Sequence, residues 1–327
     1  MKKLLIMSLV CALLVSLVGC TSGSADNDTL KVALCMTGPA NDGGWYTENV
    51  QTTEMEAAFT DYASQGYDLV FGLGYQFGDP AQAVAVKYPD TKFIIFEGSV
   101  ESENVQSCKI ANEQSRYLLG FLAAKLSQTG VVGFVAGVEQ PSIVKPAEAF
   151  KLGAKAANPD VRVLVTYTGS FTDVALGKEA ALAMIDQGAD VVGHGAIKAC
   201  EERGVMAMGA AADQNDLAPN TVVCSDVYSF GDVLVYSVGQ LAEGKFNGGI
   251  ANYGFAEGII KLAPFHSFED KIPEDIKTAL EAEKQAIIDG TLVVPVIENP
   301  SADYLYTILP YCVAVLRGQP HFRKQFF

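Results

Sequence analysis

A short apolar run between two glycines constrains the fold of this chain most strongly. Residues 68–72 have the length of a strand, and their apolar character is typical of a strand buried on both faces of a parallel sheet. In open α/β sheets, ligands bind beyond the carboxyl ends of such strands. The turn that follows offers two aromatic faces, Tyr75 and Phe77, and one carboxylate, Asp79. We therefore predict a binding site at this turn, with packing of its aromatics into the core as the alternative.

Strand-like and helix-like segments alternate along the chain in two successive runs. Among them we predict helices over residues 173–187 and 273–289 and strands over residues 254–262 and 292–296. This pattern predicts an α/β protein with two doubly wound lobes, and a length of 327 residues suits two domains. We assign the first lobe to residues 30–137 with about 228–250. The second lobe then comprises residues 138–227 with about 251–297.

The connection after the first predicted strand is unusually short. Nine residues with three glycines and one proline separate Thr37 from a possible short strand at residues 47–51. Neighbouring parallel strands need a crossover of roughly a dozen residues, usually a helix. Either the segment at 47–51 is not a parallel neighbour of the first strand, or the first lobe lacks a helix.

The N-terminus has the pattern of a bacterial lipoprotein signal. Two lysines precede an apolar run, and Leu-Val-Gly-Cys at residues 17–20 is typical of a lipobox. We expect a signal peptide over residues 1–19, lipid on Cys20 and a polar tether over residues 20–29. The protein would then be extracytoplasmic and anchored to the cell membrane. Residues 298–327, rich in aromatics and interrupted by prolines, form a tail that we cannot place.

Charge and motif content exclude several classes of function. The net charge of −15 and the lack of a basic patch argue against nucleic acid as a partner. Neither a Walker loop nor a dinucleotide fingerprint occurs, and no cysteines stand at metal-ligand spacing, so we expect no cofactor or metal. Of the three histidines, only His194 follows a strand, and no nucleophile lies near it in the sequence. We therefore expect a protein that is not an enzyme.

Eight segments in the same order resemble the basic membrane protein family of bacterial substrate-binding lipoproteins, whose best understood members bind purine nucleosides for ABC transporters. The resemblance extends from about Leu30 to Val296. The first matching segment is residues 31–34 with Gly38, Asn41 and Asp42, and the others are residues 65–72, 88–93, 117–120, 169–173, 177–181, 186–191 and 213–219.

The resemblance implies a type I periplasmic-binding fold, with two lobes joined by a hinge and a ligand in the cleft. The implied function is capture of a purine nucleoside or a related small molecule and delivery to an ABC permease. We expect a monomer. The alternative is a surface lipoprotein with a vestigial cleft that acts in protein interaction or signalling, or a degraded copy of the family.

The resemblance also assigns candidate ligand residues. Asn41 and Asp42 match the pair that reads the base, and Trp45 stands where the family has a stacking phenylalanine; packing of Trp45 on a helix is the alternative. Asp79 matches a carboxylate of the cleft. Phe171 and Asp173 follow a strand of the second lobe, although an aspartate there could instead cap the next helix.

The second lobe departs from the family pattern. The glycine-rich loop and stacking aromatic expected after residue 192 are replaced by a direct passage from His194 into a helix. The ribose-binding aspartate of the family falls on Ala211, and a family lysine falls on Tyr228. We keep His194 and Asp213, the second aspartate of the family motif, as ligand-binding candidates.

Overall fold

A computed structural model of the protein describes residues 29–36, 52–194 and 196–299. The strands in this part of the chain are β1 (Val32–Cys35), β2 (Leu69–Leu73), β3 (Lys92–Phe96), β4 (Val105–Ile110), β5 (Val131–Ala136), β6 (Arg162–Tyr167), β7 (Val191–Gly193), β8 (Met206–Gly209), β9 (Val222–Val227), β10 (Gly249–Tyr253) and β11 (Lys261–Leu262). The α-helices are α1 (Thr52–Ser64), α2 (Gly78–Ala85), α3 (Asn112–Leu126), α4 (Pro141–Ala157), α5 (Val174–Asp186), α6 (Ile197–Arg203), α7 (Phe230–Ala242) and α8 (Glu274–Ile288).

The chain divides into two compact units, each built on its own sheet. The first unit holds the residues up to Ile110 together with Leu234–Asn252, and the second holds Ala111–Val233 and the residues from Tyr253 onward. The predicted boundary at residue 137 needs correction, because α3 and β5 belong to the second unit. The reason is strand pairing, since β5 forms parallel ladders with β6 and β7.

The sheet of the first unit has the strand order β1-β2-β3-β4-β10. Its first four strands pair in parallel, and four of the five residues of β2 are buried, as the apolar run predicts. Helices α1 and α2 contribute to the core on this sheet. There the Phe59 ring lies 5.5 Å from that of Phe77 and 5.6 Å from that of Phe93.

Two predicted strands do not form as expected, and a third lies outside the described residues. Residues 254–262 yield only the two residues of β11, because the backbone closes turns on Gly254, which accepts from the Ile259 and Ile260 amides. Residues 292–296 form no strand, although Leu292 and Val294 are buried. The segment at 47–51, and with it the question of a missing helix, lies outside the described residues.

The sheet of the second unit has the strand order β11-β9-β8-β7-β5-β6. The pairs from β9 to β6 are parallel, and β11 is an antiparallel edge strand. After β5 the chain builds β6 on one side of it and then β7 on the other. The order of strand addition therefore reverses between β5 and β7, which makes this the topological switch point of a doubly wound sheet.

Helices α3 and α4 approach each other closely through two glycines. A Cβ atom on Gly120 would overlap the Phe150 carbonyl, and one on Gly153 would overlap the Tyr117 carbonyl. Each helix therefore presents a bare backbone surface to the other, which fixes the packing of this pair. Among the described helices, none combines the length and the apolar character needed to cross a membrane.

Candidate functional site

The switch point of the second unit brings a histidine and two aromatic rings to one edge of the sheet. His194 follows β7 directly, and Gly137 follows β5. The Phe171 ring lies over Gly137, where a Cβ atom would come within 2.6 Å of it. Ligands of doubly wound proteins bind outside the carboxyl ends of the strands at such a point, so this edge is the candidate site of the second unit.

His194 is held in one orientation by its backbone and its ring. Its φ of 59° lies in the left-handed region, in which histidine is one of the few enriched side chains. The backbone amide donates to the Met208 carbonyl over 3.1 Å, and ring atom Nδ1 lies 3.0 Å from the Val135 carbonyl oxygen. The imidazole stacks on Phe134 with centroids 5.4 Å apart.

The His194 ring is neutral at physiological pH. Burial and the nearby Arg116 guanidinium lower the pKa of His194 to about 4, against the opposing effects of the Val135 carbonyl and the Asp226 carboxylate. A positive neighbour and a dry surrounding both disfavour an imidazolium. This edge of the sheet therefore presents a neutral, partly exposed imidazole.

A buried ion pair lies beside His194. Arg116 of α3 is 3% exposed and Asp226 of β9 is 0% exposed, and Arg116 Nη1 lies 3.2 Å from Asp226 Oδ1. The Asp226 carboxylate also accepts from Ser115 Oγ over 2.6 Å and from the Ala211 amide over 2.7 Å. Arg116 Nη1 lies 3.5 Å from the Gly209 carbonyl oxygen. The pair thus joins α3 to the ends of β8 and β9.

Asp213 is already engaged within the second unit. Its Oδ2 lies 2.7 Å from His266 Nε2, and its Oδ1 accepts from the Asn215 amide over 3.1 Å. A ligand would therefore have to compete with His266 for this carboxylate. Ala211, which replaces the aspartate expected from the family, has a left-handed φ of 63° and donates its amide to Asp226.

Phe171 and Asp173 lie at the start of α5 in different roles. Phe171 is 62% exposed, so its ring face is open to a ligand. Asp173 is the N-cap of α5, because its Oδ1 accepts from the amides of Ala175 and Leu176 over 3.0 and 3.2 Å. Asp173 therefore caps the helix, which was the alternative to a role in ligand binding. Its second carboxylate oxygen takes no part in the cap.

The turn after β2 separates its two aromatics. Tyr75 is 70% exposed, whereas Phe77 is 2% exposed and packs on Phe59. Phe77 is therefore a core residue, and its expected role as a ligand face needs correction: Gly72 has no Cβ, which lets Phe77 pack directly on β2. Asp79 is exposed in the first turn of α2, where a carboxylate favours the helix dipole.

The remaining candidates, Asn41, Asp42, Trp45 and the lipidation site Cys20, lie outside the described residues. The described residues contain no group of three metal-ligating side chains.

The comparison with known families covers almost the whole described chain. A model of the family described as ABC transporter substrate-binding protein PnrA-like matches residues 29–298. The chain belongs to this family. The resemblance to the basic membrane proteins is thereby confirmed, and the matching model describes a substrate-binding component of ABC transporters.

Two relatives and one solved structure illustrate the similarity. A purine-binding protein of Brucella abortus is 29% identical over 293 residues, which cover 81% of this chain and 83% of the relative. The ABC transporter nucleoside-binding protein BmpA of Lactococcus lactis is 31% identical over 279 residues, which cover 77% and 78%. An ABC transporter solute-binding protein from Conexibacter woesei superposes with a TM-score of 0.67 at 24% identity, over 83% of this chain and 100% of that chain. The solved structure confirms the α/β fold of type I periplasmic-binding proteins.

Sequence reasoning missed the ion pair of this PnrA-like protein. Arg116 lies between the polar first turn of α3 and a long apolar stretch, and a charge on a buried helix face needs a partner. That signal could have been noticed, but it does not name Asp226, which lies 110 positions later. The pairing is a product of the fold.

Neither the cysteines nor an open groove beside α8 belongs to the candidate site. Cys35, Cys108, Cys200 and Cys224 are free and buried, whereas Cys312 lies outside the described residues. Burial raises the pKa of the Cys200 thiol to about 12, so it is inert. An open groove of about 720 Å³ between α8 and the segment after β11 contains none of the predicted site residues.

Proposed function

We propose that this protein captures a purine nucleoside or a related small molecule and delivers it to an ABC permease. The family match over residues 29–298 carries the proposal. The names of two relatives, a purine-binding and a nucleoside-binding protein, supply the ligand class. A lipid on Cys20 would hold the protein outside the cytoplasm at the membrane, and a monomer would suffice.

The chemistry of the available side chains suits such a ligand. A purine is flat and carries donors and acceptors on its edge, and a ribose adds hydroxyl groups. The exposed rings of Tyr75 and Phe171 offer faces for stacking. Asn41, Asp42 and Asp79 offer groups for the base edge and the hydroxyls, and Trp45 adds a further ring.

Recognition would combine stacking with a few oriented polar groups. Exclusion of water around the bound ligand would strengthen each hydrogen bond to it. The ligand-bound form would then be the form that the permease recognises. No covalent step is involved, so the protein releases the molecule that it bound.

Calorimetry against a panel of nucleosides and nucleobases tests this proposal. We expect heat from at least one of guanosine, inosine and adenosine, and a change in the fluorescence of Trp45, the single tryptophan of the chain. Asp42→Ala should weaken binding at least about tenfold, since loss of one hydrogen bond to a charged group costs roughly 1.5–3 kcal/mol. Trp45→Ala should also weaken binding, because it removes a ring face that stacks on the base. Asp90→Ala is the matched control, because Asp90 is an exposed carboxylate outside the candidate site.

Two results would contradict the proposal. Folded protein that gives no heat with the whole panel would favour the alternative of a surface lipoprotein acting through protein contacts. Release of free base from a nucleoside would show an enzyme instead. Uptake of labelled nucleoside by cells with and without this gene, and with and without the permease, tests the delivery step.

A further inference from the structure

The hydrogen bond between His194 and Val135 fixes the position of the ring proton. Nδ1 lies 3.0 Å from the Val135 carbonyl oxygen, and a carbonyl oxygen can only accept. Nδ1 therefore carries a hydrogen. In the neutral ring, Nε2 must then be the bare nitrogen, which is a hydrogen-bond acceptor.

The ring has little freedom to turn this acceptor away. It stacks on Phe134 at an interplanar angle of 17°, and Phe134 is itself packed against Phe150. The left-handed backbone of His194 is tied to β8 through Met208. Strained backbone of this kind persists where the surrounding structure holds it and is frequent at ligand sites. No hydrogen bond to Nε2 is formed within the described part of the chain, and the residue is partly exposed.

The charges around His194 maintain this state. Arg116 on α3 lowers the pKa of His194, and Asp226 on β9 raises it less. Arg116 and Asp226 form the buried ion pair described above. Because the ring stays neutral, Nε2 remains an acceptor while Nδ1 donates to the Val135 carbonyl.

We infer that His194 Nε2 accepts a hydrogen bond from an N–H or O–H group of the bound molecule, so that the site selects ligands with a donor at that point. The inference rests on the proposed function for the ligand class, purine nucleosides. It adds a specific requirement: a ligand that presents an acceptor or a methyl group to His194 is rejected.

A measurement without ligand tests the orientation of His194. Nitrogen-15 NMR of histidine-labelled protein separates a bare ring nitrogen from a protonated one, and His194→Phe identifies the His194 signals among those of the three histidines. We expect Nδ1 to be protonated and Nε2 bare at pH 7. A proton on Nε2, with or without one on Nδ1, would overturn the inference.

Ligand analogues that lack one donor test the selection. Inosine is compared with 1-methylinosine, adenosine with N6,N6-dimethyladenosine, and each nucleoside with its 2′-, 3′- and 5′-deoxy forms. One of these deletions should weaken binding to the unaltered protein by about 10- to 100-fold, the usual effect of an unmade buried hydrogen bond. The same deletion should have no further effect in His194→Phe.

Equal losses in both proteins for every analogue would overturn the inference while leaving the proposed function intact. His194→Asn provides a second variant, because asparagine also tolerates a left-handed backbone but lacks the ring. It should behave like His194→Phe. If both variants still bind the nucleoside more tightly than its donor-deleted analogue, Nε2 has no role in the selection. Failure of the unaltered protein to bind any nucleoside would instead contradict the proposed function. The NMR measurement needs no ligand, so it would still decide whether Nε2 is a bare acceptor.

Discussion

Replacing Arg116 by methionine should destabilise the second unit more than almost any other single change. Arg116 and Asp226 are both almost completely buried, and their charged atoms are 3.2 Å apart. Methionine fills much of the arginine volume but leaves the Asp226 carboxylate buried with two neutral donors, Ser115 Oγ and the Ala211 amide. Breaking a buried ion pair from one side costs about 3–5 kcal/mol, because the remaining charge is uncompensated.

The double variant Arg116→Met with Asp226→Leu removes both buried charges, so its stability shows how much of the cost of Arg116→Met comes from the unpaired carboxylate. Apolar side chains of similar volume can replace a buried ion pair at little cost. The double variant should therefore be more stable than Arg116→Met alone, by about 2 kcal/mol. The cost that remains should come from the Ala211 amide, worth about 1–3 kcal/mol when left unpaired, whereas Ser115 Oγ can still donate to the Asn112 carbonyl over 3.0 Å.

Chemical unfolding of the protein followed by circular dichroism measures these differences. At roughly 2–4 °C per kcal/mol for a unit of this size, Arg116→Met should also lower the melting temperature by about 6–20 °C. The control is Lys178→Met, which breaks an exposed pair with Glu202, whose side chains are 43% and 53% exposed. That change should cost at most about 1 kcal/mol. If Arg116→Met costs no more than Lys178→Met, the reasoning about a buried charge is wrong.

Three further predictions concern packing, acid and thiols. Gly153→Ala should cost at least about 1–3 kcal/mol in unfolding free energy, because its Cβ would overlap the Tyr117 carbonyl, whereas Gly239→Ala, with open space around it, should be neutral or stabilising. The pKa of His194 is lowered from 6.5 to about 4, so the unfolded state binds a proton at a higher pH than the folded state does. The free energy of unfolding should therefore fall by about 3 kcal/mol in total as the pH decreases between these values. His194→Phe should remove that part of the acid sensitivity, and an unchanged pH profile of stability in this variant would contradict the prediction. Burial raises the pKa of Cys224 to about 12, so peptide mass spectrometry should find it unmodified by a thiol reagent at pH 8 until the protein is unfolded, and rapid labelling of folded protein would refute its burial.

Local pattern was enough to predict most elements of this fold. The apolar run at 68–72 gave a buried strand, and helices such as α5 and α8 were predicted within one or two residues of their observed ends. These segments combine a clear period with glycine or proline at their boundaries. The failures were at 254–262, where only Lys261 and Leu262 pair with β9, and at 292–296, which forms no strand. Whether an apolar segment joins a sheet depends on distant residues, which local pattern does not include.

Parallel neighbouring strands in this fold do not always have a helix between them. Strands β3 and β4 are parallel neighbours, yet residues 97–104 between them contain no helix. A short connection after β1 therefore does not by itself require that a helix has been lost. The boundary error had a similar origin: α3 follows β4 in sequence, but its packing on α4 places it in the second unit.

The candidate site shows why single residues were harder to predict than elements. The sequence pointed to a lost carboxylate at Ala211, whereas the structure shows that the Ala211 amide is bound by another carboxylate, Asp226, from the neighbouring strand. Asp226 cannot take over a ligand, because both of its oxygens are used within the protein and it is fully buried. Its charge instead holds Arg116 beside His194, and the two act in opposite directions on the pKa of that ring. The loss of one polar group thus accompanies a different polar arrangement at the same sheet edge, which includes the neutral ring of His194. A ligand that binds His194 as we infer supplies to Nε2 a hydrogen that a carboxylate at position 211 would also have accepted.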